Sequence, residues 1–205
     1  MKRKLLILFL AVFPILLMGQ ERIELPYVLP QEFCQIVSDE VHGFPTYVLT
    51  DYNKQKAAIS ATYMKQNNTP LCLLVFTSPL LSVTEVAEGA KVEFKTKESI
   101  IESKIAQKGG LVCTIPISAM KKLALDDLVE IVVYTNKYVY AFQFDGFETI
   151  SASYCIAKLW EGLIERGMLK YADENEKMRE RTIVLSRKLK LDSQILNMEG
   201  RVLLN

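Results

Sequence analysis

Two apolar runs, at residues 129–135 and 138–144, constrain the fold more than any other part of the chain. Both are rich in β-branched and aromatic residues, which favour strands. Asn136 and Lys137 separate them, and asparagine tolerates the left-handed backbone of a tight turn. The pattern predicts a β-hairpin, so the fold must include an antiparallel sheet around it.

More strands are expected before this hairpin. Residues 91–95 alternate between charged and apolar side chains, as a strand with one wet and one dry face requires. The wholly apolar run at 71–76 predicts a strand inside a sheet, covered on both sides. Other strand-like segments lie at 46–49, 57–63, 99–106 and 111–115, with a loop at 65–70 and a tight turn at Gly109 and Gly110.

Helical spacing of apolar residues predicts helices at 30–41, 118–126 and 147–169. The tail from 172 to 205 is expected to form one longer and one short helix, with Asp192 and Ser193 capping the second. We therefore predict an α+β fold. It comprises an antiparallel sheet or β-sandwich of about seven or eight strands at 20–170, a packed helix after the last hairpin, and a helical tail at 171–205.

The beginning of the chain predicts export. Lys2, Arg3 and Lys4 precede an apolar run at 5–18, and Gly19 is small enough for a signal peptidase. The run has about fourteen residues, short of the ~20 that a membrane-crossing helix needs, and Pro14 interrupts it. Residues 1–19 are thus a predicted signal peptide, and the mature protein is expected to be soluble and periplasmic or extracellular.

Charge and cysteine content limit the classes of partner. Without the three basic leader residues the formal charge falls from +1 to about −2, which does not favour nucleic acid binding. No C-x-x-C motif occurs and His42 is the only histidine, so we expect no metal site and no cofactor. Four cysteines remain after export, and they either form disulfides or serve as small buried hydrophobic residues: Cys34, Cys72, Cys113 and Cys155.

Aromatic side chains recur at every second position from Tyr138 to Phe144, and Tyr134 lies across the turn. A row of rings can stack on sugars, which makes Tyr134, Tyr138 and Tyr140 candidate ligand-binding residues. The alternative is that the rings pack in the core or across strands.

No catalytic constellation is visible in the sequence. His42 has no nucleophile motif to accompany it, and a histidine just past a helix also suits a C-terminal cap. We therefore expect a non-enzymatic exported bacterial protein that binds an unknown ligand, such as a glycan or an envelope protein, or takes part in envelope assembly. The alternative is a secreted or periplasmic hydrolase of envelope or dietary polymer. The basic stretch at 177–190 is either an ion-paired solvated helix or a partner-binding one, and in the latter case the C-terminal helices could hold a homo-oligomer.

The region 91–153 combines the Gly109-Gly110 turn, Cys113, the Val/Tyr hairpin and the closing run at 142–147. In these features it resembles the invasion-associated locus B family of exported bacterial proteins. The resemblance implies a small β-sandwich whose closing strand runs into a helix beginning at Gly146 and Phe147. The chain lacks the second cysteine expected close to Cys113, which argues against a disulfide carried over from the family.

Overall fold

A computed structural model of the chain describes residues 20–27, 35–41, 43–50, 57–77, 86–107, 111–169 and 175–202. The described part contains ten strands and three helices. The strands are β1 (Glu21–Pro26), β2 (Gln35–Val41), β3 (Phe44–Thr50), β4 (Ala57–Gln66), β5 (Thr69–Phe76), β6 (Lys91–Thr96), β7 (Ile100–Lys104), β8 (Val112–Pro116), β9 (Leu128–Tyr134) and β10 (Tyr138–Gln143). The helices are α1 (Ile117–Leu125), α2 (Gly146–Glu165) and α3 (Asn175–Val202).

The strands form two five-stranded sheets, and the predicted α+β class is confirmed. Sheet I has the order β1-β10-β9-β6-β7, and sheet II has the order β2-β3-β4-β5-β8. Every pairing is antiparallel except that of β1 with β10. The predicted number of seven or eight strands is too low, because the sequence pattern does not predict β1 and predicts a helix where β2 lies.

The arrangement also differs from a simple sandwich. Helix α2 packs on β3 and β4 of sheet II and also contacts β9 of sheet I. Contacts between the two sheets include the rings of Phe76 and Phe142, whose centroids are 6.3 Å apart. At one edge β7 lies beside β8, where Ile105 bridges to Cys113 and Ser103 Oγ donates to the Thr114 carbonyl at 2.7 Å. A helix therefore fills much of the space that direct sheet-to-sheet packing fills in a sandwich.

The helix predicted at 30–41 is wrong over its described part. Gln35–Val41 is strand β2, which pairs antiparallel with β3 in a register that joins Val41 to Phe44. Gly43 allows the tight reversal, since its φ of 77° is open mainly to glycine. Ile36 and Val37 are β-branched, and pairing with a neighbouring strand outweighs their helical spacing. Residues 30–34 lie outside the described chain.

The β4–β5 hairpin is tighter than the loop predicted at 65–70. Only Asn67 and Asn68 form the turn, with φ angles of 50° and 63°, and Gln66 pairs with Thr69. Two left-handed residues match the twist of the flanking strands. The prediction that β5 lies inside a sheet is confirmed, since β4 and β8 flank it. One face of β5 is fully buried and the other is half-buried.

The predicted hairpin at 129–144 is confirmed as β9 and β10, and β6 alternates as expected. The strands predicted at 99–106 and 111–115 correspond to β7 and β8, but these lie in different sheets. The glycine pair predicted to turn between them falls outside the described residues.

Helix α2 is the central element of the core. Twelve of its 20 residues are buried, among them the fully buried Trp160. The carboxylate of Asp145 caps its first turn by accepting a hydrogen bond from the Gly146 N–H at 2.7 Å. Helix α3 packs against α2 and runs without interruption through Asp192 and Ser193, so the prediction of two separate tail helices is wrong. A capping sequence inside a helix is tolerated when the helix already has its hydrogen bonds.

No helix in the described ranges combines the length and the apolar character needed to cross a membrane.

Candidate functional site: a cleft on the outer face of sheet I

A cleft of about 730 Å³ opens on the outer face of sheet I, at the end where β6 turns into β7. That size is typical of small-molecule sites. The residues that line it come from the β6–β7 turn, the beginning of β9 and the end of β10: Lys95, Thr96, Lys97, Glu98, Ser99, Ile100, Val129, Glu130, Gln143, Phe144 and Asp145.

Strand register builds the floor of the cleft. Gln143 pairs with Glu130, Glu130 with Lys95, and Lys95 with Ile100, so these four residues form a row across β10, β9, β6 and β7. Cross-strand neighbours on one face lie close together, and the row places amide, carboxylate, ammonium and alkyl groups side by side.

The turn at the rim is fixed by hydrogen bonds. The Ser99 N–H donates to Thr96 Oγ1 at 2.9 Å, and the Thr96 N–H donates to the Ser99 carbonyl at 2.8 Å. The Glu98 N–H donates to Asp126 Oδ2 at 2.8 Å, which ties the turn to the residue after α1. The backbone of the rim is therefore held in place before any ligand arrives.

Glu130 is the most deeply buried charged residue of the cleft, at 8% exposure. Its carboxylate accepts from Arg22 Nη2 at 2.5 Å, and Lys95 Nζ lies 2.6 Å from its second oxygen. Two cations for one carboxylate satisfy the group, as burial of a charge requires.

Two more charged groups of the cleft, Lys97 and Asp145, are also engaged. Lys97 Nζ donates to Asp127 Oδ2 at 2.8 Å, and Asp145 caps α2. Burial acts to raise the pKa of Asp127, but the hydrogen bonds and charges of Lys97 and Arg181 outweigh it and hold that pKa below its ordinary value. Within the described chain, Glu98 and Gln143 are the cleft side chains whose polar ends have no such partner, and Ile100 is 61% exposed.

The three tyrosines singled out from the sequence do not share one surface. Tyr138 and Tyr140 face the main core, and Tyr140 is only 8% exposed. Tyr134 pairs with Val139 and lies on the opposite face, in a small cluster with Val132 and Ala141. The structure brings Tyr138 and Tyr140 together, with ring centroids 6.0 Å apart, and leaves Tyr134 on the side of the cleft. Their role in ligand binding stays a prediction.

Tyr134 belongs to a charged patch on the outer face. Lys91 Nζ lies 5.3 Å from its ring centroid and forms ion pairs of 2.8 Å with both Glu93 and Glu102. Burial works against ionisation of Glu93, yet the hydrogen bonds and charges of Lys91, Tyr134 and Lys95 lower its pKa. The ion pairs and the ring contact make this patch a network of paired charges.

The three described cysteines are free, buried thiols: Cys72, Cys113 and Cys155. Burial raises the pKa of each to about 12, so little thiolate forms near neutral pH. Cys72 and Cys113 lie on adjacent strands but not opposite each other, since Cys72 pairs with Ile115. Pairing with Cys34, which lies outside the described residues, stays a prediction. His42 lies outside them as well.

Nowhere among the described residues do three or more His, Cys, Asp or Glu side chains gather into a group able to hold a metal ion. Comparison of the chain with protein-family models, with curated proteins and with solved structures finds no match. The resemblance of residues 91–153 to the invasion-associated locus B family therefore stays a prediction.

No local pattern in the sequence predicts the cleft, because its residues come from four separate strands. The alternation at 91–95 identified β6, but the neighbours of Lys95 depend on pairing with β9 and β7.

Proposed function

We propose that this protein is a non-enzymatic, exported binding protein, and that the cleft on sheet I takes a small, uncharged, hydroxyl-rich ligand such as a fragment of a glycan. The observation that carries the proposal is the pairing inside the cleft. Its buried carboxylate is matched by two cations, while an amide, one free carboxylate and an exposed alkyl group remain to meet a ligand.

Export is supported by the leader and by the first strand. The basic residues and short apolar run before Gly19 are typical of a signal peptide. Strand β1 begins at Glu21 and pairs with β10 over its whole length, and Gln20 Nε2 donates to the Thr135 carbonyl at 2.7 Å. Cleavage before Gln20 would leave all of these contacts intact.

Binding is favoured over hydrolysis because of how the carboxylates are used. A glycoside hydrolase needs two carboxyl groups on either side of the scissile bond, one of them able to give up a proton. In the cleft Glu130 is held by Arg22 and Lys95, and Asp145 caps α2. Glu98 alone is left uncommitted among the described carboxylates of the cleft.

The chemistry of the lining favours hydroxyl groups. Paired charges present hydrogen-bonding atoms without a strong net field, so they suit a neutral polar ligand better than an ion. Gln143 offers both a donor and an acceptor, and Ile100 offers an apolar surface against which a sugar ring can lie.

The experiment is calorimetric binding to a panel of glycans and cell-wall fragments, with product formation followed in the same samples. We expect a ligand whose Kd rises about fivefold in Gln143→Ala, the loss of roughly one hydrogen bond. Ile100→Ser should also weaken binding, whereas the control Ile183→Ser, at an isoleucine on α3 that is 50% exposed, should not.

Two outcomes would contradict the proposal. If Ile100→Ser and Ile183→Ser change the Kd equally, the ligand does not bind in the cleft. Turnover of a glycan that is abolished by Glu98→Gln would show a catalytic carboxylate and would favour the hydrolase instead.

A further inference from the structure

The outward side of α3 carries exposed apolar residues. Ile183 is 50% exposed and Val184 is 49% exposed, and with Ile100 they are the exposed large hydrophobic residues among those whose side chains the structure describes. Neighbouring exposed apolar residues on one helix are candidates for an interaction surface.

The inward side of α3 is firmly attached, so the outward side has a fixed position. Met178 and Leu185 are buried in the core. Thr182 Oγ1 donates to Glu161 Oε1 at 3.2 Å, and Arg181 donates to the Ala124 carbonyl at 2.8 Å and to Asp127 at 2.9 Å. Ile183 and Val184 therefore stay in solvent and do not turn inward.

The charge of this helix is opposite to that of the body. Residues 176–190 include six lysines and arginines but only two glutamates. In the rest of the chain from residue 20, acidic residues outnumber basic ones. Arg181 pairs with Asp127, and Arg179 lies 3.8 Å from Glu165. Three other cations, Lys177, Arg187 and Lys188, are exposed and have no ion pair with a described residue.

A groove beside Ile183 adds a place for a phosphate group. It lies between α2 and α3, has a volume of about 300 Å³, and is lined by Lys158, Arg187 and Lys190 together with Tyr154 and Ser186. Glu161 forms an ion pair with Lys158, whereas Arg187 has no ion pair with a described residue and gives the groove positive charge.

We propose that the outward face of α3, defined by Ile183, Val184, Arg187 and Lys188, docks on an anionic lipid bilayer. Cations beside protruding apolar side chains match the boundary between headgroups and acyl chains. A second copy of the chain fits this face less well, because it would bring two strongly basic segments together. The acidic body would be repelled from the same membrane, which orients the protein with α3 against the surface. This proposal does not depend on the cleft.

Co-sedimentation of the purified mature chain, from Gln20 onward, with vesicles tests the docking. Binding is compared between phosphatidylcholine vesicles and vesicles that contain phosphatidylglycerol, at low and at high salt. We expect binding to the anionic vesicles only, and weaker binding as salt screens the charges. The double variant Arg187→Gln and Lys188→Gln should lower the partition coefficient about 25-fold, since each basic residue near such a surface contributes about fivefold.

The matched control is Lys104→Gln with Lys137→Gln, which removes the same charge from exposed sites on the body. It should leave binding within about twofold of the parent chain, as net charge alone is a weaker and longer-range effect. Ile183→Ser with Val184→Ser should weaken binding to anionic vesicles at high salt, where the apolar contribution dominates.

Three results would overturn the proposal. If the double variant at Lys104 and Lys137 loses as much vesicle binding as the one at Arg187 and Lys188, net charge alone explains the binding. Equal binding to vesicles with and without phosphatidylglycerol would show that the basic residues do not contribute to binding. If sedimentation velocity shows a dimer, and Ile183→Ser dissociates it, the outward face of α3 binds a second copy of the chain.

Discussion

Replacement of Phe142 by alanine tests which face of sheet I is the core. Phe142 is fully buried, and its ring meets Phe76 of the other sheet at 6.3 Å and Tyr27 at 6.4 Å between centroids. An aromatic side chain buries about 150–250 Å², which at ~25 cal/mol per Å² gives an upper bound of roughly 4–6 kcal/mol. Measured Phe→Ala changes fall at about 3–5 kcal/mol. We therefore expect Phe142→Ala to lower the free energy of unfolding by about 4 kcal/mol.

The matched variant is Tyr134→Ala, on the opposite face of the same hairpin. Tyr134 is half-buried, packs on a small cluster, and lies beside Lys91. We expect a loss of about 1–2 kcal/mol, from partial burial and a weak cation–π contact. Urea denaturation followed by circular dichroism measures both changes, and an unchanged dependence on urea concentration confirms that the folded state is comparable.

The comparison has a clear contrary result. If Tyr134→Ala destabilises the protein as much as Phe142→Ala does, the face with Tyr134 is the buried one and the inner and outer faces described above are exchanged. Should Phe142→Ala not fold, Phe142→Leu gives the same ordering on a smaller scale, because it removes less buried volume.

Three further predictions follow from single contacts. In a Cys34→Ser background the three remaining thiols should resist alkylation at pH 8 and react at once in strong urea, since burial raises their pKa to about 12; rapid labelling of the native protein would contradict this. Asp145→Ala should lower the free energy of unfolding by about 1 kcal/mol and Asp145→Asn by much less, as both aspartate and asparagine can cap α2; equal losses in thermal melts would argue against the cap. The pKa of Asp127 is lowered in the folded state, so its ionised carboxylate adds to the free energy of unfolding above the unfolded pKa of about 4, and this addition is lost as pH falls through the folded pKa. Asp127→Asn should therefore flatten the decline in stability measured in acid. An unchanged profile would contradict the ion pair.

The candidate site shows where sequence patterns stop being informative. Each residue of the row Gln143, Glu130, Lys95 and Ile100 is an ordinary side chain at an alternating position of its own strand. Only the order β10-β9-β6-β7 makes them neighbours. Because β9 and β6 are more than 30 residues apart along the chain, no local pattern specifies that they pair.

The local sequence pattern is sufficient to predict those elements in which side-chain period and turn residues indicate the same structure. The hairpin of β9 and β10, the alternation of β6 and the apolar stripe of α2 could all be predicted, because side-chain period and turn chemistry specified the same structure. Tertiary pairing decided the remainder. Gln35–Val41 has helical spacing but joins β3 as a strand, and Asp192 with Ser193 forms a capping sequence that α3 passes through. At Gln35–Val41 a weak local preference for helix competes with backbone pairing to β3, and that pairing decides the structure.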